Sequence, residues 1–594
     1  MSVKHACRRP PIGGCLGALA VCLVLIGCQA APSGPPPTEP PLPGSLKTAV
    51  LPIAQEPPGF NAYLSDTGYE ELLGELVYDG LAGMAPDGTY YAQLARQLPT
   101  RLNGGVSPDG LTVTWRLRDH IVWSDGVPFT SDDVRFTYEA LHHPANRLAH
   151  STGVDLIDSV ETPDDTTVVL HYREPSANIW GQFGGRGAGI FPRHACGDPG
   201  WMAGWQCNTQ PVGTGPFVLL SWEEGKQLVF ARNPRYWQTG RPFLDRIVFP
   251  IVNDDVLRST MLKDGDADIN LWVTAPQLKV LQTVAGARLI TLPSRWLLRI
   301  ALNLSQPPAS SDQAAVTATP SAAAAQGGPQ AAHYVLADPR VRQALDMAID
   351  RQSLVKNAFG GQGQVATGEL YRGWVNCPDV PETPYDPEGA RALLAQAGWL
   401  PGRRGILTAQ GTPYAPDGTR LELRLVANDA WDALAKAQQQ IAKMWKAIGV
   451  QVTTDLAGPG DLWGDWQEGG LEVHGQFDAD LWDDGYPGAD PTDYLIWRYA
   501  SWSVPSMADG GRGGNVMRFV NPQVDQLLQQ ALTQLDPLER RPTLCQVASI
   551  LAEQRPMLYL LYFSETYAFS PHLQGVVVNP HDAITWDAFN WQVE

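Results

Sequence analysis

The sequence predicts a mixed α/β protein of more than one domain, and three observations carry that expectation. Residues 111–118 alternate apolar and polar side chains without a break, the pattern of a half-buried strand. Two helices are signalled by one device, an aspartate followed by proline, at Asp338-Pro339 and Asp386-Pro387. A strand–helix–strand succession over 421–456 favours a parallel pair of strands. At 594 residues the chain is also too long for a single hydrophobic core.

Taken in order, the chain opens with Lys4, Arg8 and Arg9 ahead of an apolar run, Pro11 to Gly27. That run is shorter than the roughly 20 residues a membrane-spanning helix needs, so it reads as an export signal. Ala30–Ser45 is rich in proline and favours an extended polyproline II spacer, about 3.1 Å per residue. Further on, Ser107-Pro108-Asp109-Gly110 makes a turn, and Leu111, Val113, Trp115 and Leu117 form the buried face of the next strand. Thr130-Ser131-Asp132-Asp133 fits a capping box with aspartate in place of the usual glutamate, followed by Val134, Tyr138 and Leu141 at helical spacing. Over 337–361, Asp338 caps a helix whose apolar stripe is Val341, Ala344, Leu345, Ala348 and Ile349, ended by Gly360 and Gly361. Asp386, Pro387 and Gly398 repeat the plan over 385–399. Strands are expected at 421–426 and 450–456, with a helix at 435–449 between them. Residues 309–333 are built from Ala, Ser, Thr, Gln, Gly and Pro with no large apolar side chain to bury, so they read as a disordered surface insertion, with a short alanine helix as the alternative.

Charge and motifs exclude several functions. The chain has 43 basic and 62 acidic residues; removal of 1–27 takes three basic residues and no acid, leaving −22. Such a body has no basic footprint for nucleic acid. No metalloprotease, nucleophile-elbow, Walker or zinc-cysteine motif is present. Asp264, Asp266 and Asp268 imitate a calcium loop, but Ile269 and Ala275 stand where glycine and glutamate are required. No cofactor, metal or catalytic residue is expected. After Cys28 only Cys196, Cys207, Cys377 and Cys545 remain, and four thiols in an exported chain suggest disulfides. Cys196 and Cys207 would staple the Gly- and Pro-containing loop HACGDPGWMAGWQC; pairing of Cys377 with Cys545 follows only by elimination, and free buried thiols are the alternative.

Leu25-Ile26-Gly27-Cys28 resembles the lipobox of bacterial lipoproteins. The resemblance implies cleavage after Gly27 and a diacylated Cys28 that tethers the body to the membrane, facing periplasm or cell exterior. The rest resembles the family 5 extracellular solute-binding proteins, the dipeptide, oligopeptide and nickel receptors of ABC importers. The stretches that carry it occur in the family's order: PPGFNAYLSDTGYEELLGELVYDGLAGM (57–84), SPDGLTVTWRLRDHIVWSDGVPFTSDDVRFTYEAL (107–141), GTGPFVLLSWEEGKQLVFARNPRYW (213–237), 241–269, ALNLSQPP (301–308) and DPRVRQALDMAIDRQSLV (338–355).

That resemblance implies two α/β lobes joined by a hinge, a periplasmic-binding-protein-like fold with an inserted subdomain in the first lobe. Its expected divisions are signal 1–27, tether 28–45, first lobe 46–78, inserted subdomain 79–204, first lobe 205–300, second lobe 301–564 and a return to the first lobe at 565–594. The implied partners are a small solute, an oligopeptide first of all, and an ABC permease with its ATPase, the receptor acting as a monomer. In peptide-binding members an aspartate in a Trp-rich loop pairs with the ligand's amino group. The matching loop is DADLWDDGYPGADPTDYLIWRY (478–499), which offers Trp482, Asp483, Asp484 and Tyr486, with Asp484 slightly preferred as the ammonium partner. A calcium site from Asp478, Asp480, Asp483, Asp484 and Asp490 is a weaker option. Asn61 and Tyr63 on the opposite wall and Trp374 in YRGWVNCP complete the candidate ligand set, and no arginine stands out for a peptide carboxylate. A hydrolase or a non-transport sensor on the same scaffold is the rival reading.

Overall fold

Helices begin where the sequence supplies a capping side chain. The computed structural model describes residues 46–593 except 66, 147, 149–152, 186, 188, 306–331, 430 and 487–489, so the signal, Cys28, the tether and nearly all of the low-complexity segment lie outside it. Thr130 and Asp133 close a capping box ahead of helix Ser131–His142, each satisfying a backbone amide that the first turn leaves unpaired. Asp386 accepts from the Gly389 amide and starts Pro387–Gln396. Asp338 does the same for Pro339–Met347, but the single helix expected over 338–361 is two. Asp350 is the reason: its side chain accepts from Ser353 N and caps a second helix, Arg351–Asn357.

The first lobe rests on a four-stranded sheet in the order Thr48–Val50, Arg246–Pro250, Gln227–Arg232, Phe217–Glu223. Thr112–Arg116, Thr167–Tyr172 and Ile157–Asp164 form a separate antiparallel sheet covered by helix Ser131–His142. Val113 and Trp115 point into its core and are fully buried, as their alternation requires. The acidic segment at 264–269 is structural: Asp268 accepts from the Val50 amide at 2.9 Å. In the second lobe, Glu422–Asn428 and Gln451–Ala457 run parallel on either side of helix Asp432–Ala447 in sequence. That helix buries Leu434, Ala437, Ile441 and Trp445 on one stripe. At about 1.5–3 kcal/mol for each large apolar side chain, this stripe rather than helix propensity holds the element in place.

Two long strands join the lobes. Arg288–Leu302 and Met557–Phe569 pair antiparallel, from Arg288 opposite Phe569 to Ala301 opposite Met557. Tyr567 and Phe569 lie in the first lobe's core, whereas Leu298, Ile300, Leu558 and Leu560 lie in the second's. The lobe changes expected at 300/301 and 564/565 therefore fall inside continuous strands, which serve as the hinge. The segment 309–333 also ends differently from expectation: His333 is buried, its Nε2 3.0 Å from Asp478. Disulfides join Cys196 to Cys207 and Cys377 to Cys545. No helix among the described residues is long and apolar enough to cross a membrane.

Candidate functional site

In open α/β sheets, ligands bind beyond the carboxyl ends of the parallel strands. Here those ends belong to Glu422–Asn428, Gln451–Ala457 and Ala479–Asp484. The last strand also pairs antiparallel with the hinge strand, Asp483 opposite Leu298 and Asp484 opposite Leu297. Because side chains alternate across a strand, Leu481 and Asp483 share the face of Leu298, while Asp480, Trp482 and Asp484 share the face of Arg299. The candidate loop residues are thus divided between two environments.

On the Arg299 face lies a closed charge network. The Arg299 side chain is fully buried, 2.9 Å from Asp480, 3.6 Å from Asp484 and 3.8 Å from Glu472. Arg498, equally sequestered, donates to Asp484. Burial alone would loosen the Arg498 proton, but the adjacent Asp484 overrides this and keeps the guanidinium charged. Burial, then the neighbouring Asp480, lifts the Glu472 carboxyl well above the carboxylate range. Two guanidinium groups thereby meet three carboxyl groups in one buried cluster. Trp482 extends it, lying against Trp463 at 4.4 Å with the Arg299 guanidinium 4.9 Å from its ring; its indole Nε1 is buried without an acceptor among the described residues.

The preference for Asp484 as a ligand partner gives way on this geometry, since two arginines already hold its carboxylate. The cation option fails for the same reason: Asp480 is bound to Arg299, Asp490 to Arg540 and Asp478 to His333. Asp483 differs. It is half-buried, has no ion-pair partner among the described residues, and burial pushes its carboxyl up to about 6. A carboxylate kept partly dry without a counter-ion is what an incoming ammonium group would stabilise.

Two groups of contacts bring the lobes together. In the first, Arg295 of the hinge strand stands 3.9 Å from Glu71 of the first lobe. In the second, Arg372 donates to the Pro580 carbonyl at 3.2 Å and to the Tyr486 carbonyl at 2.6 Å, with its guanidinium 4.4 Å from the Tyr486 ring. Gly373 faces His581 so closely that a Cβ there would lie 2.7 Å from the ring nitrogen, and its φ of +62° also favours glycine. Arg540 holds Asp490, reaches the Ala177 carbonyl at 3.4 Å and covers Trp374 at 5.3 Å. Trp374 and Tyr486 therefore each lie beside an arginine that reaches across the lobe boundary.

Asn61 and Tyr63 instead organise the first lobe. The Asn61 amide donates to Asn208 and its oxygen accepts from the Tyr63 amide. The Tyr63 ring is buried against Phe191, with its hydroxyl directed at the Gly189 carbonyl. Sequence reasoning missed Glu71, Arg295, Arg372 and Arg540; each sits in an ordinary helix, strand or loop pattern, and only the approach of distant segments singles it out. An open hollow of about 930 Å³ lies apart from these groups on the first lobe, lined among others by Glu56, Pro57, His194, Leu220 and Trp222.

Residues 89–505 match the model of the bacterial extracellular solute-binding proteins, family 5, a span that takes in the inserted sheet, the hinge strand and the whole candidate loop. The chain belongs to that family. Its members are substrate-binding components of ABC importers that take peptides or related solutes, and this solute-binding protein is one of them. It is 29% identical over 551 residues to Protein XP55 of Streptomyces lividans, covering 90% of this chain and 86% of that protein. It is 26% identical over 553 residues to the glutathione-binding protein GsiB of Escherichia coli O1:K1, covering 91% and 94%. The oligopeptide-binding protein AppA of Bacillus subtilis, solved with a nonapeptide, shares the fold with a TM-score of 0.63 at 21% identity, over 92% of this chain and 99% of AppA.

Proposed function

We propose that this solute-binding protein captures short peptides between its lobes, with Asp483 receiving the peptide ammonium group, and hands them intact to an ABC permease. The observation that carries the peptide reading is Asp483 itself, a partly dry carboxylate with no ion-pair partner among the described residues, at the carboxyl edge of the second lobe's sheet. Trp482 and Trp463 beside that strand, and Trp374 and Tyr486 at the boundary, offer aromatic walls suited to varied side chains. A glutathione-binding relative and a peptide-filled structural neighbour support the same class. Residues Leu46–Glu594 form one compact unit suited to direct measurement. Native mass spectrometry of that unit, followed by denaturation, should release a ladder of short peptides. A single sugar, metal chelate or other solute would remove the peptide assignment, and steady cleavage of added peptide would replace the receptor with a hydrolase.

The protein is proposed to act as a monomer held at the membrane surface by lipid on Cys28. Acyl chains contribute about 0.8 kcal/mol per buried methylene, enough for two or more to retain a protein at a bilayer. Cys28→Ala should move the chain from the membrane fraction to the soluble exported fraction, and retention at the membrane would discard the anchor.

A further inference from the structure

One helix and one loop of the second lobe are bound to each other by a covalent bond, a hydrogen-bonded arginine and a cation–π contact. Helix Pro537–Gln554 carries Arg540, Arg541 and Cys545, and the loop 371–378 carries Arg372, Gly373, Trp374 and Cys377. Cys545 is disulfide-bonded to Cys377. One turn earlier, Arg541 donates through Nε and Nη2 to the Asn376 carbonyl, at 3.2 and 2.7 Å. The Arg540 guanidinium lies over the Trp374 ring. Arg540 is itself fully buried and held in place. Asp490 neutralises its charge and also accepts from the Thr492 amide, while the Gln534 carbonyl accepts from Nη1 at 2.5 Å. What this unit faces belongs to the first lobe: Arg540 reaches the Ala177 carbonyl, Arg372 the Pro580 carbonyl, and Gly373 abuts His581. Met84 of the first lobe is buried in the same apolar cluster as Trp374 and Val375. Asn579 donates to the Met84 carbonyl at 2.8 Å, which joins Met84 and the segment 579–582 into one receiving surface.

We propose that the Cys377–Cys545 disulfide and Arg541 make the loop 371–378 and helix Pro537–Gln554 one rigid clasp, and that this clasp holds the two lobes together around a solute. An arginine donating to a single carbonyl is a weak contact by itself. Two such contacts fixed to one body form and break together, because making the first brings the second within reach at little further cost in ordering. Both end on main-chain carbonyls, so the clasp grips the first lobe's backbone rather than any of its side chains. A solute that binds the closed lobes is held more tightly in proportion to the fraction of molecules that are closed, whatever its chemistry. Arg540, Arg541 and the disulfide are therefore positioning groups: they set how firmly a solute is held, and Asp483 on its separate strand sets which. The proposal rests on solute entering between the lobes and is independent of the solute being a peptide.

Hydrogen exchange on the detergent-solubilised mature chain, followed by mass spectrometry without solute, tests it at amides that the clasp does not bond. The Gly181 amide is bonded to Asn178, and those of His581 and Asp582 to Asn579, all within the first lobe. A change in their protection reports the lobe boundary rather than the clasp's own fold. Cys377→Ser with Cys545→Ser should speed exchange over 177–183 and 579–583 about 10-fold, the equivalent of one or two lost hydrogen bonds, and leave the sheet strand Gln227–Arg232 unchanged. Arg541→Gln should give a smaller gain, about 2- to 5-fold, and Arg541→Lys should restore most of the protection, because an ammonium group still donates to the Asn376 carbonyl. Arg541 is exposed, so its two variants carry the test even where the serine pair fails to fold. Calorimetry with trialanine and with glutathione should show both weakened by one common factor. Unchanged exchange over both first-lobe segments overturns the proposal, even beside a lower melting temperature, since a staple that merely stabilises the second lobe gives that result. Weakening of one solute without the other overturns it too. Failure of both solutes to bind the parent protein would remove the peptide reading, and the exchange rates then decide the clasp alone.

Discussion

Asp483 and Asp484 are chain neighbours on one strand, yet they occupy opposite electrostatic regimes. Asp484 faces Arg299 and Arg498 in a buried network of opposite charges. Asp483 faces the other side, half-buried, with burial lifting its carboxyl to about 6 against the weaker pull of the more distant Arg299. The difference teaches that strand parity, rather than proximity in sequence, separates an aspartate held in the lobe's buried ion pairs from the one proposed to meet the ligand. Both are acidic, both lie in the Trp-rich loop, and one step of the pleat decides between them.

The largest effect should come from breaking the satisfied side. Asp484→Ala leaves Arg498 and Arg299 short of an anion in a dry environment, and loss of one partner from a buried ion pair costs about 3–5 kcal/mol. Urea unfolding at neutral pH should show that loss. Replacing both partners, Asp484→Leu with Arg498→Met, should recover much of it, because the stranded charge rather than the missing attraction dominates the single variant. A single variant within 1 kcal/mol of the parent would mean that water already reaches the network and that the contrast with Asp483 is false.

Much of the fold was legible because it depends on local chemistry. The Thr130–Asp133 box, the Asp338 and Asp386 caps and the alternation through Val113 and Trp115 all act within a few residues. The second helix start at Asp350 was legible in principle, since an aspartate three residues ahead of a serine amide is an ordinary cap. What escaped notice depends on segments far apart in sequence. Arg295 and Glu71 are separated by more than two hundred residues, Arg540 and Ala177 by 363, and no periodicity announces their meeting. The Trp-rich loop was located from its resemblance to the family, but the choice between its two aspartates needed the strand's register against Leu297 and Leu298.

Asp483→Asn sharpens the comparison from the uncompensated side, through smaller effects of opposite sign. For solute, the variant should bind trialanine about 10- to 100-fold more weakly, since an amide cannot form the charge-assisted bond, while N-acetyl-trialanine should be indifferent to the change. For stability, the sign follows from the proton balance. The carboxyl titrates near 6 when folded and near 3.9 when unfolded, so between those values the folded chain holds more of the proton. Stability therefore falls as pH rises from about 4 to about 6 and is level above, where an ionised Asp483 stays uncompensated. Asn carries no such burden. The variant should match the parent below pH 4 and exceed it at pH 7.5 by about 1 kcal/mol, once the shift is discounted for partial exposure. Urea midpoints at the two pH values read the difference directly. Bound peptide should erase it, because an ammonium group beside Asp483 favours the ionised form; a gain that persists unchanged with saturating trialanine would place the ligand's amino group elsewhere in the cleft.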